Sequence, residues 1–235
     1  MNELLIFLTL AVSFGITLLF YRLFSKAGLY AWISICAILA NIEVTVLVKA
    51  FGMTQTLGNA LFASSFLATD ILSELHSKQD AEKGVKIGIA TSVVFILFSI
   101  IWQFYTPAEN DWAYPSVRTL FSNTPRIMIA SLIAYAVSEF VDVKLYHLIW
   151  NFTEQKSGDK KSFLWLRNNA ATLIAQAVNI VIFNFGAFFG IYEIGSLLSI
   201  TAMCYVIYIF TSLLDTPFIY LARKNTNINI SDKNS

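Results

Sequence analysis

Charged side chains are scarce in this sequence: 13% of its 235 residues are Asp, Glu, Lys or Arg, while 57% are hydrophobic. A soluble globular domain carries about 25% charged residues, so the composition argues against a water-soluble domain. The aromatic content of 15% argues equally against a disordered chain, because apolar side chains at this density collapse. The composition indicates an integral membrane protein.

Excess positive charge and cysteine are also lacking. Sixteen Lys and Arg residues against fifteen Asp and Glu residues leave a net charge of +1. This balance excludes the strongly basic surface of a nucleic-acid-binding protein. The two cysteines, Cys36 and Cys204, lie in apolar runs without the spacing of a metal or redox site. We therefore expect no nucleic-acid partner, no bound metal and no cofactor.

Seven apolar stretches approach the length that crosses a bilayer, which is about 20 mostly apolar residues. They are roughly Leu4–Phe20, Tyr30–Val48, Leu57–Leu75, Val85–Tyr105, Arg126–Trp150, Asn168–Gly190 and Ser196–Leu221. They predict an all-α polytopic bundle formed by residues 1–224, followed by a disordered polar tail, 225–235. The first stretch follows Met1-Asn2-Glu3 without a cation, so we expect a retained helix rather than a cleaved signal.

The loops between these stretches alternate in charge. The cations lie in residues 22–29, 76–86 and 151–167 and in the C-terminal tail, whereas the loops 51–56, 106–125 and 191–195 hold few. Arg118 is the single cation inside those three loops. Because cytoplasmic loops are enriched in Lys and Arg, we expect the N-terminus outside the cell and the C-terminus in the cytoplasm.

Several of the stretches carry acids and amides at depth, where a charged side chain costs about 2.5–3.5 kcal/mol. The candidates are Asn41 in the second stretch, Asp70 and Glu74 in the third, Ser138, Glu139 and Asp142 in the fifth, and Gln176 and Asn179 in the sixth. Spacings of three and four residues place those of the fifth stretch on one helix face. Facing polar stripes of this kind predict a lined cavity near the middle of the membrane.

Each candidate also has a structural interpretation. Glu74 lies one helical turn from a cytoplasmic loop and is equally compatible with the membrane interface. Asp70, Glu139, Asp142 and the amides of the sixth stretch either pair with one another or bind a substrate or a proton.

The fifth and sixth stretches share a short sequence. Residues 130–137, Ala-Ser-Leu-Ile-Ala-Tyr-Ala-Val, match residues 171–178, Ala-Thr-Leu-Ile-Ala-Gln-Ala-Val, at six of eight positions. The two predicted helices run through the membrane in opposite directions. Repeats of opposite topology often frame the site of a transporter near the midplane, so this echo weakly favours a transporter.

Residues 66–85 read Phe-Leu-Ala-Thr-Asp-Ile-Leu-Ser-Glu-Leu-His-Ser-Lys-Gln-Asp-Ala-Glu-Lys-Gly-Val. This segment resembles the signature of the queuosine precursor transporter family, also called vitamin uptake transporters. The family's signature has Thr-Asp, a Glu four residues on and a small basic loop. Further pieces follow in the family's order: Asn41, Ala130-Ser131, Ser138-Glu139-x-x-Asp142-Val143, Leu166-Arg-Asn-Asn169 with Thr172, Gln176 and Asn179, and Asp215-Thr-Pro-Phe-Ile-Tyr220.

This resemblance runs from about Asn41 to Leu221. Many members have six spans, so Leu4–Phe20 looks like an N-terminal addition. The family tends to repeat Ser-Gln-x-x-Asp in two midplane helices, whereas this chain has Ser138-Glu139-x-x-Asp142 and Ala175-Gln176-x-x-Asn179. Relative to the family's pattern, Glu139 stands in place of a Gln and Asn179 in place of an Asp.

The resemblance implies an inner-membrane importer of 7-deazaguanine precursors of queuosine, such as 7-cyano- or 7-aminomethyl-7-deazaguanine, and not an enzyme. It implies substrate binding by Asn41, Asp70, Glu74, Ser138, Glu139, Asp142, Asn169, Gln176 and Asn179. A homodimer is compatible with this interpretation. No Walker-type phosphate loop occurs, and an ATPase partner is not expected. The alternative is a membrane-embedded substrate-binding subunit of an ATP-driven vitamin importer.

Two other classes fit less well. An intramembrane protease with Asp70 and Asp142 as its dyad lacks a Gly-x-Gly-Asp setting. A retinal-binding receptor needs a lysine in its last span, and Ser196–Leu221 contains none.

Overall fold

Long helices and one short β-hairpin make up the fold, and 84% of the residues are helical. The computed structural model describes residues 1–122, 125–159 and 162–233. The elements in chain order are α1 (Asn2–Glu43), β1 (Leu47–Ala50), β2 (Met53–Thr56), α2 (Asn59–Leu75), α3 (Lys78–Trp102), α4 (Tyr114–Ser122), α5 (Pro125–Ser157), α6 (Leu164–Phe188) and α7 (Ile194–Lys233). The helical membrane fold expected from the apolar stretches is confirmed, with the small hairpin as an unpredicted addition.

The first helix, α1, turns sharply at one residue. Ser25 has φ 53° and ψ −141°, whereas the residues on either side are helical. A Cβ at Gly28 would overlap the carbonyl of Phe20, so the close approach of the two parts requires glycine there. The predicted loop 22–29 is therefore wrong: a single non-helical residue replaces it. The parts before and after Ser25 are called the first and second limbs of α1.

Both limbs pack on the same place on α2. The Ser64 hydroxyl lies 2.9 Å from Thr17 Oγ1 of the first limb. It also accepts a hydrogen bond from Trp32 Nε1 of the second limb at 2.9 Å. Because positions before and after the turn meet one side chain, α1 is a helical hairpin whose limbs run in opposite directions.

The β-hairpin replaces the end of the predicted second span. Helix α1 ends at Glu43, and β1 pairs antiparallel with β2, with Ala50 opposite Met53. Phe51 and Gly52 between the strands both have positive φ, 53° and 75°, as in the tight two-residue turns of hairpins. A helix extending to Val48 was expected and is wrong, because residues 47–50 pair as a strand.

The start of α1 holds this hairpin in place. Asn2 Nδ2 donates to the carbonyl of Lys49 at 2.8 Å. The backbone N–H of Phe51 donates to Glu3 Oε1 at 3.1 Å. The first limb therefore links the N-terminus to the connection between α1 and α2.

Within the part of the chain that the structure describes, four helices are long and apolar enough to cross a membrane: Asn2–Glu43, Lys78–Trp102, Leu164–Phe188 and Ile194–Lys224. The first of them contains both limbs of α1. Helices α2 and α5 cover the predicted third and fifth stretches but are shorter or carry more charge. Helix α4 was not predicted; it lies in the loop 106–125 and buries Phe121 beside Ile96 and Met128. Helix α7 continues to Lys233. The predicted disorder of the tail, 225–235, stays a prediction.

The two ends of the bundle differ in character. The turn of α1 meets the start of α3, where Lys26 Nζ lies 3.0 Å from Asp80 Oδ1. The start of α6 and the last part of α7 lie at the same end, where Arg167 and Arg223 both reach Glu74. We call this end the basic end, and the end with the β-hairpin the hairpin end. The core between them draws residues from every long helix.

Candidate functional site

The helices that form the site are apolar on one face and polar on the other. On α5 the exposed Ile129, Ile133 and Val137 recur at every fourth position. The buried polar residues Glu139 and Asp142 lie on the opposite face of the same helix. A face exposed to lipid must be apolar, so the polar residues turn inward and meet those of α2 and α6.

Three buried carboxyl groups from three helices form what we call the acid cluster: Asp70 of α2, Asp142 of α5 and Asp215 of α7. Each is at most 1% exposed. Asp142 and Asp215 are both close enough to Asp70 for their charges to act on it, and the charge of Asp215 also acts on Asp142. Thr172 of α6 donates to Asp70 Oδ2 at 3.3 Å. Helices α2, α5, α6 and α7 therefore all contribute polar side chains at this place.

The acid cluster is poorly supplied with hydrogen-bond donors. Within the described residues, Asp70 Oδ1 and both carboxyl oxygens of Asp142 have no hydrogen-bond partner. A buried polar group without a partner costs free energy, and a buried charge without one costs more. These atoms therefore require a proton or a ligand that brings donors.

Glu139, one turn from Asp142 on α5, is held from both sides by hydroxyl groups of α2. Ser65 Oγ donates to Glu139 Oε1 at 2.9 Å, and Thr69 Oγ1 donates to Glu139 Oε2 at 3.0 Å. The Tyr135 hydroxyl lies 3.3 Å from Ser65 Oγ. Each oxygen of a carboxylate can accept about two hydrogen bonds, so the carboxyl group of Glu139 is oriented without being saturated.

The amides of α6 lie next to these acids. Asn179 Nδ2 donates to Ser138 Oγ of α5 at 3.0 Å. Gln176 is 1% exposed, and neither its amide nitrogen nor its amide oxygen has a partner within the described part of the chain. Gln176 lies one turn from Thr172 and so shares the face that contacts the acid cluster. A buried amide with both ends unpaired has hydrogen-bonding capacity left for a ligand.

A small cavity extends from Asn179 toward the hairpin end. It is lined by Val44, Thr56, Phe62, Ser131, Ala134, Asn179, Phe183 and Tyr208, and it measures about 10 Å³. This is room for about one water molecule, whereas pockets for small organic ligands measure roughly 300–1,000 Å³. This cavity is therefore too small for a ligand of that size, which enters it only if the helices separate.

Glu74 is placed apart from the acid cluster, in a network at the basic end. Arg167 donates to it from Nη2 and Nε at 2.7 and 2.9 Å, and the Tyr146 hydroxyl donates at 2.8 Å. The Arg167 guanidinium also lies 4.2 Å from the ring centroid of Trp150. Arg167 is completely buried. Of the two roles left open for Glu74, these contacts favour the structural one.

Two other predicted site residues form helix-to-helix contacts. Asn41 Nδ2 donates to Ser92 Oγ of α3 at 3.2 Å, and its amide oxygen has no partner among the described residues. Asn169 Nδ2 donates to Thr216 Oγ1 at 2.7 Å, and Asn169 Oδ1 accepts from Ser212 of α7. Their proposed role in substrate binding stays a prediction.

Sequence reasoning missed two members of this interior. Arg167 was counted as a loop cation because Lys160 and Lys161 precede it, although its side chain is completely buried. Asp215 was noted only as part of a family motif, although it completes the acid cluster. Its position inside the last apolar stretch, two residues before Pro217, was the signal that identifies it. Within the described residues, no group of His, Cys, Asp and Glu has the arrangement of a metal site.

A bundle with lipid-compatible outer faces and a closed polar interior defines a multi-pass membrane protein of the transporter class. The chain matches the family model described as "Putative vitamin uptake transporter" over residues 56–222. It therefore belongs to the vitamin uptake transporter family, and the resemblance seen in the sequence is confirmed.

A named relative agrees with this membership. The chain is 34% identical over 215 residues to the "Probable queuosine precursor transporter" of Bacillus subtilis (strain 168), and the match covers 91% of each protein. No solved structure matches the chain.

Proposed function

We propose that this protein imports 7-deazaguanine precursors of queuosine, such as 7-cyano- or 7-aminomethyl-7-deazaguanine, across the inner membrane. Family membership and the name of the Bacillus subtilis relative support the substrate class. The observation that carries the proposal is the pair formed by an oriented, unsaturated Glu139 and an unpaired, buried Gln176. The comparisons do not favour the alternative, a subunit of an ATP-driven importer.

The chemistry of a guanine-like base suits these groups. Its edge offers a ring N–H and an exocyclic amine, two adjacent donors that one carboxylate accepts together. Glu139 has acceptor capacity left on both oxygens, and Asp142 has no donor on either oxygen within the described residues. A base without these donors leaves a buried carboxylate unsatisfied, so the site rejects it.

Amides and aromatic rings complete the proposed subsite. Gln176 and Asn179 have both donors and acceptors and suit the carbonyl edge of the base. Phe62 and Tyr135 lie with their ring centroids 6.0 Å apart, and Phe183 lines the cavity beside Asn179. These rings are placed to stack on a planar ligand. A substrate with an aminomethyl cation would place that charge against Asp70.

Transport requires that this interior open to each side in turn. We propose seven spans, namely the two limbs of α1 with α2, α3, α5, α6 and α7, with the N-terminus outside and the basic end in the cytoplasm. Under this topology the Glu74–Arg167 pair closes the cytoplasmic side, and the β-hairpin covers the outer side. The cavity of about 10 Å³ then corresponds to a state closed on both sides.

Uptake of a labelled deazaguanine into cells that cannot synthesise it tests this function. Expression of the chain should restore uptake, and Glu139→Gln should lower it by about tenfold or more, since a hydrogen bond to a charged group contributes about 1.5–3 kcal/mol. Glu109→Gln changes an exposed loop residue and serves as the control. Normal uptake by the double variant Glu139→Ala/Asp142→Ala would overturn the site assignment, and no uptake by the wild type would overturn the function.

A further inference from the structure

Asp215 and Asn168 form a buried polar contact between α6 and α7. Asn168 Nδ2 donates to Asp215 Oδ1 at 2.7 Å, and both side chains are at most 1% exposed. The amide oxygen of Asn168 is also buried, and it has no donor among the described residues. Within the described residues, the amide nitrogen of Asn168 is therefore paired with Asp215, whereas its amide oxygen is unpaired.

No cation of the described residues balances the charge of Asp215. From α2 and α5 it faces Asp70 and Asp142, which are acids, and from α6 it faces the neutral amide of Asn168. The contact of α7 with α1 nearby is between the rings of Phe14 and Phe218. The nearest buried cation along α6, the Arg167 guanidinium, is bound to Glu74 and to the carbonyl of Ser162. Three carboxylates without a cation repel one another strongly in this interior.

A proton on Asp215 gives the amide oxygen of Asn168 a donor and also reduces the unbalanced negative charge. The protonated carboxyl group offers one O–H donor, and the unpaired acceptor beside it is the amide oxygen of Asn168. A carboxylic acid and a carboxamide then exchange two hydrogen bonds in place of one. Protonation also lowers the negative charge of the acid cluster by one.

We propose that Asp215 binds the proton that drives substrate import, with Asn168 as its positioning partner. This inference rests on the proposed transport function and adds its energy source. The carboxylate takes one proton from the outer water to become a carboxylic acid, and it returns that proton to the cytoplasm when the inner side opens. No other reactant is consumed.

The backbone of α7 lets this change of charge move the helix. Pro217, two residues after Asp215, lies inside α7 and has no N–H, so the carbonyl one turn earlier loses its helical partner. Loss of the proton restores the negative charge of Asp215 and favours separation of α7 from α2 and α5. Binding of the proton favours the close packing of these helices seen here.

Reconstituted vesicles test the proposal with labelled 7-cyano-7-deazaguanine as the probe. Exchange of labelled for unlabelled base needs no net proton movement, whereas accumulation against a gradient does. For the wild type we expect accumulation under an inward pH gradient. For Asp215→Asn we expect exchange to be retained and pH-driven accumulation to fall by at least tenfold. Asp111→Asn, an exposed loop carboxyl, is the matched control and should keep both activities.

The outcomes separate this inference from the function on which it rests. Absence of exchange in the wild type would overturn the transport function itself. If the wild type exchanges base but accumulates it under a sodium gradient and not under a pH gradient, the proposed proton coupling is overturned and the transport function stands. Accumulation by Asp215→Asn under a pH gradient would have the same meaning. If Asp215→Asn does not fold, Asn168→Ala serves as the test variant. We expect the pH at which its accumulation is half-maximal to differ from the wild-type value by a tenfold change in proton concentration. An unchanged pH profile would overturn the proposal.

Discussion

Glu74 and Arg167, which are 93 positions apart, form a buried ion pair in which one guanidinium donates to both oxygens of one carboxylate. The pair joins α2 to α6 at the basic end, on the far side of the acid cluster from the cavity. The side chains of Arg167 and Glu74 are 0% and 3% exposed. Breaking a buried pair by removing one partner typically costs about 3–5 kcal/mol, because the remaining charge is left uncompensated.

This pair should therefore show strong energetic coupling. We expect Arg167→Met and Glu74→Gln each to lower the stability of the detergent-solubilised protein by about 3 kcal/mol. The double variant should lose less than the sum of the two, because it leaves neither member of the buried pair as an uncompensated charge. Unfolding of all four proteins in a double-mutant cycle measures this coupling, and additive losses would argue against a direct interaction.

The hydroxyl groups of α2 that orient Glu139 should matter for binding. We expect Ser65→Ala combined with Thr69→Val to weaken substrate affinity about tenfold, since the carboxyl group loses both donors that fix its position. Ser73→Ala is the matched control: it removes a buried hydroxyl of the same helix that has no partner within the described residues. Binding measured by thermal shift with a deazaguanine should change less than twofold in the control. Equal effects of the two changes would contradict this role.

Gly88 on α3 marks a tight contact with the site. A Cβ there would overlap the hydroxyl of Tyr135 and would lie 3.0 Å from Ile33 Cγ2. We expect Gly88→Ala to lower stability by about 1–3 kcal/mol, the usual cost of overpacking. Adding Tyr135→Phe should recover part of the loss, because it removes the overlapping hydroxyl. Gly195→Ala, which meets nothing within 4 Å, should be nearly neutral in the same unfolding measurement.

The turn of α1 carries backbone strain that glycine would relieve. Ser25 has a positive φ of 53°, a region that residues with a Cβ rarely occupy. We expect Ser25→Gly to raise stability by about 1 kcal/mol and Ser25→Val to lower it. The same glycine substitution at Ser34, inside the second limb, should lower stability by about 0.5–1 kcal/mol. A loss of stability in Ser25→Gly would show that the turn is not strained.

The parts of this structure that depend on local pattern were predictable from the sequence. The apolar runs located the long helices, and spacings of three and four residues placed Asp142 on the polar face of its helix. The β-hairpin was not predictable in this way, because Leu47 and Val48 continue an apolar run and are compatible with either state. The turn at Ser25 was hidden for a similar reason, since charged neighbours suggested a longer loop.

Contacts between residues that are distant in the sequence could not be predicted from the local hydrophobic pattern. Arg167 follows a basic loop, and nothing in its neighbourhood shows that it pairs with Glu74 on another helix. Asn168 and Asp215 are 47 positions apart and meet only because α6 packs on α7. Such contacts follow from the packing of whole helices, which a single sequence does not encode at any one position.

The contact between Ser138 and Asn179 has a consequence for the symmetry of the interior. These residues are 41 positions apart, which is also the offset between the matching segments that begin at Ala130 and Ala171. The hydrogen bond therefore joins equivalent positions of the two segments, which run antiparallel. The equivalent of Tyr135 in the second segment is Gln176, so an aromatic ring on one helix corresponds to an amide on the other. The repeated helix frame thus carries different chemistry toward the hairpin end and toward the basic end.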